Sequence, residues 1–256
     1  MPRGPRIKLP DVVSIAFETN GKGYMGFIVE LPGAFIRGIT EQEALTKIKK
    51  EISLYLKWLE GEQKHDYRIQ IVQRHRGSLP VEDADNEILL EADKETLSDE
   101  EFRNLYDPVW YSGETFLQLY TNSKLKEWVD ESRIRKTFYG DNPKTIQEIF
   151  DHVKYCQHYY FSRMKITEKI EGDFMAIRKF CLEELEALYH KNNNSLIFEV
   201  ANELWTLKKV LRRFIWHDRI HGKAITRILE KQRQLGIIDE YKDPFHFMEA
   251  ILYNSG

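Results

Sequence analysis

The chain has 256 residues, 42% of them hydrophobic and 31% charged, with a formal net charge of −3. This balance excludes a disordered chain, and with 13 basic against 15 acidic residues in positions 1–93 it gives no basic excess for binding nucleic acid. No apolar run approaches the ~20 residues that cross a bilayer, and prolines interrupt the amino-terminal MPRGPRIKLPDVV, so a cytoplasmic protein with no membrane partner is expected.

At this length two domains are expected. VVSIAFE is β-rich, Asn20-Gly21-Lys22-Gly23 is a turn signal, and YMGFIVELPG resumes a strand, which together predict a hairpin. Thr40 precedes Glu43 at capping-box spacing, and Ala44, Ile48, Ile52, Tyr55 and Leu59 recur at helical intervals, predicting one helix of about five turns. After Gly61, YRIQIVQ alternates apolar and polar residues, as a further strand of the same sheet would. The ordered string Gly23-Tyr24-Met25-Gly26-Phe27, Glu30-Leu31-Pro32-Gly33-Ala34-Phe35, Gly38-Ile39-Thr40 and Glu43-Ala44-Leu45 resembles the strand, turn, cap and helix start of the HicB-like fold. The resemblance covers about residues 11–75 and implies a small ββαβ module, although Gly33 and Gly38 also fit ordinary turns.

Residues 76–97 are acidic, contain Pro80, and have only a short apolar patch at Ile88–Leu90, the composition of a linker. The expected fold class is therefore two-domain α+β, with an α+β domain and its linker in 1–93 and an all-α bundle in 98–256. Capping-box spacings at Ser98/Glu101 and Thr145/Glu148, and the prolines Pro108 and Pro143, mark helix starts. The expected spans are 108–122, 145–165, 172–190 and 206–232, with a short helix after Asp243-Pro244. Cys156 and Cys181 are too few for a disulfide framework and read as reduced thiols.

Along the last long helix the apolar stripe Leu207, Val210, Phe214 continues through His217 and His221 to Ile225 and Ile228. Residues four apart share a face, so two imidazoles could reach one ion; hydrogen-bonded core histidines are the commoner cause of such a pair. His152 lies on the flank of the stripe formed by Ile146, Ile149, Val153, Cys156 and Tyr160, and facing helices of a bundle can build a metal site in this way.

The strings Ile146-Gln147-Glu148-Ile149-Phe150-Asp151-His152, Trp205-Thr206-Leu207-Lys208-Lys209-Val210-Leu211 and Trp216-His217-Asp218-Arg219-Ile220-His221 resemble the DinB/YfiT family of four-helix bundles, over about residues 98–231. That resemblance implies that His152, His217 and His221 bind zinc, nickel or a related divalent ion, in a metal-dependent enzyme of the thiol S-transferase or hydrolase kind. A small-molecule substrate, a low-molecular-weight thiol first among them, is the partner it implies, and a homodimer is compatible with it. Tyr159 and Arg163 are candidates to meet an anionic substrate, though both also suit a plain surface. Cys156, one turn after His152, could offer a thiolate, but a buried small hydrophobe is the commoner role. The alternatives are a non-catalytic, metal-stabilised interaction module and a HicB-type antitoxin or regulator; the lack of a basic patch argues against the latter.

Overall fold

The computed structural model describes residues 7–131, 134, 136–137 and 140–248, and its architecture is α+β: a small mixed sheet followed by helices. Strands β1 (Val12–Thr19), β2 (Tyr24–Ile28), β3 (Phe35–Gly38) and β4 (Arg68–Arg76) lie in the order β3-β2-β1-β4. The first three are antiparallel neighbours, and β4 adds parallel to β1. One sheet face, with Val13, Ile15 and Phe17, belongs to the main core together with α2 (Ile48–Trp58). The other, with Ala16, Met25, Phe27 and Phe35, packs with Val81, Ile88, Leu90 and Trp216.

Two local expectations change here. YMGFIVELPG is not one strand, because Gly33 takes φ +83° and the Ala34 N–H donates to the Leu31 carbonyl, turning the chain between β2 and β3. The five-turn helix is broken into α1 (Glu41–Leu45) and α2, with Thr46 Oγ1 donating to the Glu43 carbonyl at 2.7 Å where the first piece ends.

The acidic segment 76–97 is packed rather than open. Val81, Ile88, Leu90 and Leu97 are buried, and two short 3₁₀ turns, Val81–Asp83 and Glu91–Lys94, shape it. Its polar groups have partners on the last helix: Arg212 donates to both Asp93 oxygens, Arg213 donates to the Asn86 side chain and carbonyl, and Lys209 Nζ reaches the Glu87 carbonyl at 2.7 Å.

The helical part comprises α3 (Asp99–Asn122), α4 (Ile146–Ser162), α5 (Phe174–Asn192) and α6 (Leu207–Gln234). Between them lie two small antiparallel pairs, β5 (Lys136–Thr137) with β6 (Gly140–Asp141) and β7 (Phe198–Val200) with β8 (Glu203–Trp205). α3 starts nine residues before the expected 108. The Ser98/Glu101 capping box sets the start, and Phe102, Leu105 and Val109 carry the buried stripe past Pro108, which lies inside the helix although its missing N–H removes one bond. Of the short helix expected after Asp243-Pro244, residues 245–248 form turns and irregular chain, and the rest lies outside the described residues.

α6 is buried almost all round. Its Asp218 receives both terminal nitrogens of Arg178 from α5, at 2.9 and 3.0 Å, and the Ser112 hydroxyl from α3 at 2.6 Å. The same guanidinium donates to the Val109 carbonyl on α3 and to Gln157 Oε1 on α4. Four helices thus meet on one guanidinium. Gly113 makes room for it, since a Cβ there would stand 2.8 Å from Arg178 Nη1.

Arg178→Met should lower unfolding stability by about 3–5 kcal/mol in urea titrations, because it strands a buried carboxylate. Adding Asp218→Leu should recover a large part of the loss. A double variant as unstable as the sum of the two single ones would show that the pair acts through shape alone.

Candidate metal centre

Two capped helices bring the histidines together. Thr145 Oγ1 accepts the Glu148 N–H and Thr206 Oγ1 accepts the Lys209 N–H, which fixes where α4 and α6 begin and so the phase of every later side chain. α4 then presents His152, and α6 presents His217 and His221 one turn apart. Their ring centroids are 5.2 Å (His152–His217), 4.7 Å (His152–His221) and 4.4 Å (His217–His221) apart.

These spacings can be compared with an ion held by ring nitrogens. With bonds of about 2.1 Å each ring centre lies about 3.2 Å from the ion, which puts centroids about 4.5 Å apart at right angles and about 5.2 Å apart at the tetrahedral angle. Two of the spacings fall within that range, and the 4.4 Å between His217 and His221 lies just below it. His217 is buried, His221 is half-buried and His152 is the most exposed of the three, so the cluster is open on the α4 side.

Electrostatics keeps the donors available. Burial, then the neighbouring His221 and His152, hold His217 well below the ordinary imidazole range. Burial, with His152, pulls His221 down to about 3, and burial also lowers His152. All three rings are therefore neutral at physiological pH, the form that offers a lone pair to a metal. Tyr160 fixes the buried end, its ring standing edge-on to His217 at 5.2 Å.

A fourth donor adjoins them. Cys156 Sγ lies 3.6 Å from His152 Nε2, and ligand atoms of His152, Cys156 and His217 all fall within 4.8 Å of one another, a grouping that leaves out His221. With bonds of about 2.3 Å to sulfur and 2.1 Å to nitrogen, tetrahedral ligands stand about 3.6 Å apart. Without an ion, burial pushes the thiol up to about 11, so it stays protonated. The i, i+4 spacing from His152 was the only sequence signal for this contact.

The other candidates lie further along α4. Tyr159 and Arg163 continue the His152–Cys156 face, about 10 and 16 Å along the axis from His152. Tyr159 is exposed, and the Arg163 guanidinium sits over its ring at 4.0 Å while its Nε donates to the Tyr159 carbonyl. The structure thus places them on the same face without bringing them to the histidines.

A second grouping, Glu18, His75 and Glu87, was invisible in the sequence because it joins β1, β4 and the acidic segment. Glu18 oxygens already accept the N–H groups of Glu87 and Ile88, so this cluster ties that segment to the sheet.

Purified protein should hold about one divalent ion per chain by elemental analysis, and His217→Ala/His221→Ala should hold none. Loaded with cobalt, the wild type should show a sulfur-to-metal charge-transfer band that Cys156→Ser lacks. Identical cobalt spectra in the two proteins would remove Cys156 from the ligand set without touching the histidines.

A scan against protein-family models found no match for this chain, and searches of curated proteins and of solved structures found none either.

Proposed function

We propose that the chain is a divalent-metal protein of the DinB/YfiT type, with zinc or nickel held by His152, His217 and His221, that activates a small thiol or water toward an electrophile. The observation that carries this reading is the meeting of three neutral imidazoles, from two helices, at spacings that fit one ion. When bound, a divalent ion supplies the Lewis acidity that makes water or a thiol nucleophilic near neutral pH. The chain's own contribution is positional. α6 holds two donors against the buried Tyr160 ring, and His152 leaves the α4 side open to a substrate. Tyr159 and Arg163 offer an aromatic face and a cation to an extended anionic ligand lying along α4. The front sheet serves in this reading as a HicB-like association module, a homodimer being one use of it.

Cys156 favours a second reading. A thiolate 3.6 Å from His152 Nε2 would complete a closed tetrahedral set, and closed sets are structural. The protein would then be a metal-stabilised binding module.

One experiment separates the two. Cellular thiols paired with electrophiles, together with ester and amide substrates, should turn over with metal-loaded wild type. His152→Ala should lose about 100-fold or more, beyond what disturbing a ligand's hydrogen-bond partner costs. Equal rates in both proteins would sink the catalytic reading. No turnover, joined to a large drop in melting temperature on chelation, would establish the structural one.

A further inference from the structure

On the far side of α6 from the histidines lies a groove of about 790 Å³, between the β3 edge, α1, α2 and α6, which is the size of a small-ligand site. Its walls carry six cations, Lys22, Arg37, Lys47, Lys50, Lys223 and Arg227, in a chain whose net charge is −3. Three carboxylates share the lining, and each is engaged: Glu43 with Lys47, Glu82 with Asn20, and Glu51 with Arg219 at 2.7 Å.

The floor is where positive charge concentrates. Lys223 Nζ stands 3.8 Å from Glu51, the carboxylate that Arg219 already holds, and it also feels the charges of Arg219, Arg227 and Lys50. Two cations, Arg219 and Lys223, thus share one carboxylate in a partly desolvated place, where Coulomb repulsion is far less screened than in water. An anion would relieve it. Apolar surface adjoins this point: Phe35, Ile36, Leu54 and Phe247 line the groove, with the Phe35 and Phe247 ring centres 5.4 and 5.5 Å from Lys223 Nζ.

We infer that this groove is a binding site for an organic anion, a carboxylate or phosphate on an apolar or aromatic body, with Lys223, Arg227 and Lys50 receiving the charge and Phe35 and Phe247 flanking the body. The site is independent of the metal centre, because none of the histidines lines it.

The test uses full-length protein and the fluorescent aromatic sulfonate 8-anilinonaphthalene-1-sulfonate, with uncharged N-phenyl-1-naphthylamine as its comparison. The sulfonate should bind saturably, about one per chain, and at least tenfold more tightly than the neutral dye. Lys223→Gln should weaken it about tenfold. Lys50→Glu, at an exposed position of α2, should weaken it at least as much. Inorganic phosphate and 2-naphthoate should both displace the dye, the naphthoate at lower concentration because it also uses the apolar wall. Equal affinity for the two dyes, unchanged affinity in both variants, or no saturable binding would each overturn the assignment.

Discussion

Arg178 and Asp218 face each other with about 1% of either side chain exposed. Removing two charges from water costs several kcal/mol for each, and only dense hydrogen bonding offsets that. Here the guanidinium reaches α3, α4 and α6 at once, and the carboxylate accepts from α3 and α5. Such a pair tolerates one rotation of α6 about its axis. His217 immediately precedes Asp218, and His221 follows it by three positions, so the rotation that satisfies the ion pair also turns both imidazoles toward α4. The candidate metal centre and the scaffold are therefore set by the same contact.

Much of the architecture could be read from local signals. Ser98/Glu101, Thr145/Glu148 and Thr206 mark three helix starts because capping is settled within four residues. Pro108 misled, since its effect depends on whether the surrounding stripe is strong enough to carry a helix through it, and that strength comes from tertiary burial. The acidic run 82–93 misled for a related reason. Charges in a sequence suggest solvent, yet Asp93 is paired with Arg212, 119 positions away, and no local pattern reports a partner at that distance.

The histidines were legible to different degrees. His217 and His221 stand where an apolar stripe calls for hydrophobic residues, and that anomaly is visible in one helix. His152 needed a second helix to face the first, which periodicity allows without requiring. Cys156 was discounted because a cysteine in an apolar helix stripe is usually only packed; its significance comes from the distance to His152 and not from its position. Nothing in the sequence gathers Lys50, Lys223 and Arg227, which come from α2 and α6 and line one groove only in the folded chain.

The docking of the acidic segment on α6 has a temporal consequence. A ribosome releases β1 to β4 and the segment behind them more than a hundred residues before Arg212, Arg213 and Trp216 exist. Until then Ala16, Phe27, Phe35, Ile88 and Leu90 lack the indole that completes their cluster, and the carboxylate of Asp93 lacks its cation. The nascent front segment thus carries an apolar sheet face and an unneutralised acidic strip, and like charges on such a strip oppose association of the exposed apolar surface. α6 arrives last among the long helices and covers both at once, so the final native contacts of the front half form together with the histidine pair.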